Sequence, residues 1–476
     1  VRVYDHEHTK TVNKKIKDAD GNVIRTEQAN VKVKVWQRIP CGGQLTINLI
    51  EGVVSHRAPD SEHPEVRVQG TIRGKNANGD RLITLFLVNA QQEPEENKDS
   101  AWVFQPELIV LAAGESNKAI FRRRVALSGK EDDEERKALE MIYREEVEFA
   151  VGHGVAVHAK TDDDDAERAH EVRTVVMPQY EVPVTETPGL RPEDRPAMRE
   201  MVEKGHLDME VLAAMDRGEL VAVLSALAGD YGKWIEEQRN RINADVVGHD
   251  AQATAALDRC KEIQHRLEEG IAVIADAGND KVLAAFRFAN RAMARQRVHS
   301  LFALSQRRGE NKTLSDFEQR QHRSWRPFQL AFILLSIPSL ADPTHKDRTK
   351  PIEAFADLLW FPTGGGKTEA YLGVAAFAMA VRRLQGKLGG YDGSRGLSVI
   401  MRYTLRLLTL QQFQRASALI CAMELLRQEG AAGGDNSLGS VPFTIGLWVG
   451  NKVTPGTTED SHRAIQDIRN PEKFDA

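Results

Sequence analysis

Leu358-Leu359-Trp360-Phe361-Pro362-Thr363-Gly364-Gly365-Gly366-Lys367-Thr368-Glu369-Ala370-Tyr371-Leu372 is the stretch on which the reading of this chain turns. Its first four residues read as a short buried parallel strand, and 369–382 has helix-forming composition, so three successive glycines stand between strand and helix. Without Cβ atoms the glycines let backbone N–H groups approach an anion at the positive end of the following helix. Lys367 then supplies a cation for the terminal phosphates of ATP, and the Thr368 hydroxyl a ligand for Mg²⁺. Lys367 and Thr368 form the candidate catalytic pair, and Thr363, Gly364, Gly365, Gly366 and Glu369 complete the candidate nucleotide-contacting set. The chain departs from the generic GxxxxGK[ST] spacing, because Phe361 stands where the first glycine is expected. A chance glycine-rich loop followed by Lys-Thr is the competing reading, and the flanking strand and helix weigh against it.

Upstream, Trp325-Arg326-Pro327-Phe328-Gln329 places a carboxamide ahead of the glycines. A carboxamide can donate to one purine acceptor and accept from the exocyclic amine; by its resemblance to the Arg-x-x-Gln sequence ahead of the P-loop in superfamily-2 helicases, Gln329 is the candidate adenine reader. Downstream, 397–401 reads as the next parallel strand and delivers Arg402-Tyr403-Thr404-Leu405-Arg406 at its carboxyl end, where ligands of open α/β sheets gather. By resemblance to motif Ia of superfamily-2 helicases, which contacts one nucleic-acid strand, Arg402, Thr404, Arg406 and Gln411 are the candidate contacts to nucleic-acid phosphates; the alternative is that the arginines pair with carboxylates. A helix over 407–427, a glycine-rich loop over 430–439 and another central strand over 443–450 follow.

The rest of the chain reads differently. Lys32-Val33-Lys34-Val35-Trp36 alternates with period two, and 82–88 is a β-branched and aromatic run of buried-strand type. Turn-formers at 20–22, 41–43 and 76–80 separate such runs, so 1–184 is expected to be a β-rich domain, a sandwich or open barrel. The acidic clusters 131–135 and 162–165 read as solvated loops. A proline-rich lead-in opens a helical domain over 185–315, whose Arg287, Arg291, Arg295, Arg297 and Arg307, interleaved with Phe286, Phe288 and Phe302, could follow a phosphate backbone or form an ordinary helix flank. Residues 316–476 are expected to begin a RecA-like α/β P-loop domain with a parallel sheet, incomplete at its carboxyl end.

Composition narrows the function classes. The chain has 476 residues, 41% hydrophobic and 28% charged, which excludes a disordered tail and allows several domains. A formal net charge of -5 excludes coating nucleic acid by bulk charge, so any such binding needs a local basic groove. Without a signal-peptide pattern or a long apolar run, the expected location is the cytoplasm and not a membrane. Cys41, Cys260 and Cys421 lie far apart without a CxxC pair or a neighbouring histidine, and are expected as reduced buried thiols.

The Pro-Thr-Gly-Gly-Gly-Lys-Thr form resembles the P-loop of superfamily-2 helicases, whose leading residue is commonly not glycine. Residues 361–372, 402–413 and 445–450, with 286–293 and 149–154, resemble the helicase subunits of the DrmA family from the bacterial DISARM anti-phage system. That resemblance implies an ATP-dependent DNA helicase or translocase, a DrmB-like partner subunit and DNA with a single-stranded portion. It also implies an Asp-Glu-x-His motif and a second RecA-like domain, which this sequence does not supply after Val449, so the chain by itself is expected to lack a complete catalytic set. An ATP-gated DNA-binding switch and a partner-docking scaffold are the competing functions.

Overall fold

The computed structural model describes residues 2–17, 23–37, 39–96, 98–114, 118–124, 133–162, 164–181, 186–349, 356–361, 364–403, 406–449 and 455–470. The chain divides into two compact units, Val1–Glu181 and Val182–Ala476.

The first unit is antiparallel. β1 (Arg2–Lys17) and β2 (Val23–Gln37) form a long hairpin, with irregular register near Tyr4 to His8. β3 (Gly52–Arg57), β4 (Val66–Ile72) and β5 (Ile83–Asn89) make a meander in that order. The third sheet centres on β9 (Arg168–Val175), which pairs with β6 (Ile109–Leu111), β7 (Phe121–Arg122) and β8 (Ala156–Thr161). Alternation along β4 puts Val66, Val68 and Ile72 in the interior, while Ala169 and Val172 of β9 pack with Phe149. The β-rich expectation holds, with two adjustments. The 82–88 run is half-buried, Leu82 and Phe86 being exposed. The 131–135 acidic cluster is not wholly loop, because Asp133 caps α1 (Glu134–Ile142) by accepting from the Arg136 N–H.

The second unit is helical: α2 (Pro196–Lys204), α3 (Met209–Ala214), α4 (Arg217–Asp245), α5 (Asp250–Ala275), α6 (Asp280–Arg307), α7 (Arg320–Arg323), α8 (Pro327–Ala341) and α9 (Lys346–Thr349). Then come α10 (Lys367–Gln385), the hairpin β10 (Lys387–Leu388) and β11 (Tyr391–Asp392), α11 (Arg406–Ala432) and α12 (Thr458–Ile468). Asp208 and Asp216 start α3 and α4 by accepting from the Glu210 and Glu219 N–H groups at 2.9 and 2.8 Å.

α8 is apolar on nearly every side, the pattern of a helix enclosed by others. Leu330, Leu334 and Ile337 are fully buried, each contributing about 1.5–3 kcal/mol by leaving water. Two neighbours approach α8 through glycines. A Cβ on Gly270 of α5 would lie 2.2 Å from the Leu334 carbonyl oxygen, and one on Gly373 of α10 would lie 2.7 Å from Ile333 and 2.8 Å from Trp325. Leu220, Leu224, Phe286, Met293, Phe377 and Met423 belong to the same core, so the helices of 185–315 and those of 316–476 are packed as one body.

The expected parallel sheet is not present among the described residues, where every paired strand is antiparallel. Residues 358–361, 397–401 and 443–449 carry no strand, and Leu358, Trp360, Leu397, Ile400 and Trp448 are exposed. Parallel strands are stable when both faces are covered, and these side chains have no such cover. Arginines occupy several of the backbone carbonyls instead. Arg382 donates to the carbonyls of Leu397 at 2.8 Å and Arg395 at 3.3 Å, and Arg383 to those of Val441 at 2.6 Å and Pro442 at 3.2 Å. The cysteine expectation holds for the absence of disulfides and fails for burial: Cys41 and Cys421 are exposed and Cys260 is half-buried.

Gly270→Ala is expected to destabilise the chain by about 1–3 kcal/mol through overpacking against α8, despite alanine's better helix propensity. Gly229→Ala, on α4 with open space around the site, should stabilise it by roughly 0.5–1 kcal/mol. Urea unfolding of both variants checks the pair, and equal shifts would contradict the close approach.

A second expectation concerns acid. Glu424 accepts from Arg427 at 2.6 Å, from Gln428 at 2.8 Å and from the Phe443 N–H at 3.0 Å. These bonds, the Arg427 one foremost, hold its carboxyl at about 2, below the ordinary 4.5. A lowered folded-state value means stability present above the ordinary value and lost as pH falls toward the folded one. The stability gap between the parent chain and Glu424→Gln should therefore close between about pH 5 and pH 2, as read from urea midpoints across that range.

Candidate nucleotide-binding site

The glycine loop leads directly into α10. Gly364 and Gly366 take φ of +84° and +87°, a conformation L side chains rarely adopt. At Gly366 a Cβ would also meet the Gln329 amide nitrogen at 2.7 Å, so space and backbone both call for glycine there. α10 is a well-formed helix of 19 residues whose first N–H groups have no intrahelical acceptor.

The loop is held from behind by the start of α8. Arg326 donates to the Gly365 carbonyl at 2.7 Å, and the Gln329 amide donates to the Gly366 carbonyl at 2.8 Å. The Gln329 carbonyl oxygen accepts from the Arg326 N–H at 2.8 Å. Phe328 stacks on Phe361 with ring centroids 4.0 Å apart and planes 17° from parallel. Trp325 is buried and donates its indole N–H to Asn290 of α6 at 2.7 Å, and Asn290 donates in turn to the Phe286 carbonyl at 2.9 Å. The Trp325–Gln329 segment thus connects the helical core to the loop through one buried aromatic and one buried amide.

At the front, Lys367 donates to the Phe361 carbonyl. The Thr368 hydroxyl lies 2.9 Å from the Tyr371 hydroxyl, which accepts from Tyr403 at 3.1 Å. Burial, and then the bond to Tyr371, push the Tyr403 phenol well above its ordinary value, so it remains a protonated donor. Glu369 accepts from Arg297 of α6 at 3.0 Å and from Arg415 of α11. Arg297 also donates to the His322 carbonyl at 2.9 Å. One carboxylate therefore joins α6, α10 and α11 beside the loop.

The structure brings Gln329, Gly364, Gly365, Gly366, Lys367, Thr368 and Glu369 together, whereas Thr363 lies outside the described residues. Of the candidate nucleic-acid contacts, Arg402 and Gln411 are exposed, and Thr404 and the Arg406 side chain lie outside the description, Arg406 opening α11. Arg402 and Tyr403, with Ile400 and Met401, form one wall of a cavity of about 570 Å³ whose other wall includes Tyr371 and Val374 of α10. The arginine row on α6 does not form a basic face. Arg287 donates to the Met215 carbonyl, Arg295 pairs with Glu429 at 2.8 Å, Arg297 is held by Glu369, and Phe286 is buried. Arg291 and Arg307 remain exposed.

Sequence reading missed Arg415 and Arg266, and it gave Arg297 and Tyr371 no role beside the glycine loop. Arg297 and Arg415 stand 72 and 46 residues from Glu369, a separation that no local spacing rule bridges. Arg266 of α5 holds Asp357, just ahead of 358–361, through bonds of 2.7 and 3.0 Å. The only sequence signal for these pairings was the presence of long cations on otherwise apolar helices.

No family model matches the chain. It is 35% identical over 384 residues to the DISARM protein DrmA of Bacillus paralicheniformis, a match that covers 80% of this chain. The chain is a DrmA-like protein. It spans about a third of that relative's length, 31%, within its amino-terminal part. Among the described residues of this DrmA-like chain, no helix is long and apolar enough to cross a membrane.

Gln329→Ala should destabilise the nucleotide-free chain by about 1–3 kcal/mol, because it removes two hydrogen bonds, to the half-buried Gly366 carbonyl and from the half-buried Arg326 N–H. Urea unfolding without nucleotide measures this, and an unchanged midpoint would mean that the carboxamide does not support the loop.

Proposed function

We propose that this DrmA-like chain is the nucleotide-binding part of an ATP-dependent DNA helicase or translocase in bacterial anti-phage defence, coupling ATP hydrolysis to movement on or remodelling of DNA. The observation that carries the reading is the Gly364–Gly366 loop at the start of α10 with Lys367 and Thr368 immediately after it. The residues suit a nucleoside triphosphate. The positive-φ glycines open the backbone toward an anion, and the Lys367 ammonium rests on a carbonyl, a weaker partner than phosphate oxygens.

In this reading Gly364 to Gly366 and the first N–H groups of α10 cradle the phosphates, and Lys367 neutralises charge that grows on the transferring group. Thr368 would hold Mg²⁺ through the hydroxyl that here meets Tyr371, and the ion would supply positive charge to the phosphates. Glu369, already paired with two arginines, positions the loop and α10. Gln329 reads adenine after releasing the Gly366 carbonyl, so base recognition and loop geometry share one amide. Residues 358–361, 397–401 and 443–449, which carry no strand in this structure, would pair as a RecA-like parallel sheet and so bury Leu358, Trp360, Ile400 and Trp448. Arg402, Thr404, Arg406 and Gln411 contact the phosphates of DNA with a single-stranded portion, a DrmB-like subunit is the partner, and the bacterial cytoplasm is the location.

A second reading, an ATP-gated DNA-binding switch without processive unwinding, is favoured by one arrangement. The Thr368, Tyr371 and Tyr403 hydroxyls form a chain from the proposed ion ligand to the residue beside Arg402. Nucleotide that draws Thr368 away would free Tyr371 and Tyr403, and so alter the segment presented to DNA.

In the complete helicase proposed here, Lys367→Ala should reduce ATP turnover at least about 100-fold, the scale of removing a preorganised charge from a phosphoryl-transfer site, while leaving the circular dichroism spectrum unchanged. Phosphate release with and without single-stranded DNA, run beside displacement of a labelled strand, is the measurement. Turnover with displacement supports the translocase, and nucleotide-dependent affinity without displacement supports the switch. Turnover that survives Lys367→Ala would remove the assignment of this loop.

A further inference from the structure

Outside the nucleotide site, one group of side chains has the chemistry of a metal site. Cys41 lies in the segment after β2, and Asp60 and His63 lie in the turn between β3 and β4. Cys41 comes from a separate segment, yet one ligand atom from each of the three lies within 4.8 Å of the others. This convergence escaped a search for short Cys and His spacings.

The scaffold beneath the three residues is close-fitting. A Cβ on Gly43 would lie 2.1 Å from the Pro59 carbonyl oxygen, so the Cys41-Gly42-Gly43 segment runs against the Pro59-Asp60 backbone as only glycine can. Asp60 is oriented by backbone donors: its carboxylate accepts from the Glu62 N–H at 2.9 Å and from the Gly42 N–H at 3.4 Å. The Glu62 bond is the largest influence lowering the Asp60 carboxyl below its ordinary value, with smaller contributions from His63 and Cys41, so it is ionised at neutral pH. Cys41 is exposed and Asp60 and His63 are half-exposed, which leaves an entry path from solvent.

We propose that Cys41, Asp60 and His63 bind a divalent ion of the Zn²⁺ class through thiolate, carboxylate and neutral imidazole, with water in the fourth position. A mixed sulfur, nitrogen and oxygen set suits borderline-soft Zn²⁺, whereas Ca²⁺ and Mg²⁺ call for oxygen alone. Binding releases the Cys41 thiol proton to solvent and involves no change of oxidation state. The ion would join the 41–43 segment to the β3–β4 turn, a cross-link inside the first unit that is independent of ATP.

The test uses the full chain, stripped with chelator and titrated with Co²⁺, whose spectrum reports its ligands. The expected result is a thiolate-to-cobalt charge-transfer band in the near ultraviolet, saturating at a single ion per chain and bleached by Zn²⁺. Cys41→Ser should abolish the band, Asp60→Asn and His63→Ala should weaken Co²⁺ binding about tenfold or more, and Cys421→Ser should leave it intact. A second measurement needs no variant: Zn²⁺ should slow alkylation of Cys41 by iodoacetamide but not that of Cys421, which is also exposed. No charge-transfer band in the parent chain, a band that persists in Cys41→Ser, or alkylation of Cys41 unaffected by Zn²⁺ would overturn the proposal. The last would leave Cys41 as a solvent-accessible thiol beside His63.

Discussion

The helical unit depends on the enclosure of α8. A helix apolar on almost every side is stable only when other helices cover it, and here two of them come close enough to require glycine. Gly270 brings α5 onto the Leu334 backbone, and Gly373 brings α10 onto Ile333 and Trp325. Because α10 begins at Lys367 and α8 begins just after Trp325, this packing also fixes both sides of the glycine loop. The geometry of the candidate site is thus set by interior packing, with the polar contacts of Arg326 and Gln329 refining it.

Arginine connects this unit over long sequence distances. Arg266 holds the segment ahead of the loop through Asp357, Arg297 and Arg415 converge on Glu369, and Arg382 and Arg383 bind the carbonyls of 395–397 and 441–442. The planar guanidinium can satisfy two acceptors at once while its stem packs on apolar neighbours. Arg383 does both, bonding to the Val441 carbonyl while lying 4.8 Å from the centre of the Phe443 ring. The backbone of these segments is held without strand pairing; Phe443 is buried in the core, while Leu397, Ile400 and Trp448 stay exposed.

The resemblance to DrmA bears on both units, since it covers 80% of the chain. The antiparallel unit is therefore part of what this chain shares with that relative, as the helical unit is. Its interior is small, built on Val66, Val68 and Ile72 of one sheet and on Phe149, Ala169 and Val172 of another. Units with small cores gain more than others from cross-links that do not depend on apolar area.

Much was legible in the sequence because the signals were local. Period-two alternation marked 32–36, a proline marked the start of α2 at 196, and three glycines before Lys367-Thr368 marked the loop and the helix after it. What depended on distant partners was not legible. The apolar runs at 358–361, 397–401 and 443–449 read as buried strands, yet a strand exists only where a neighbour pairs with it, and these have none among the described residues. For the α6 arginines the sequence left a phosphate-following face and an ordinary helix flank both open, because periodicity shows only which residues share a side; Glu369, Glu429 and the Met215 carbonyl engage three of them. Gln329 shows the same division. Its sequence supplied a carboxamide ahead of a phosphate-binding loop, and only the fold decided that this amide would lie buried against Gly366, because α8 and α10 pack too closely there for a side chain.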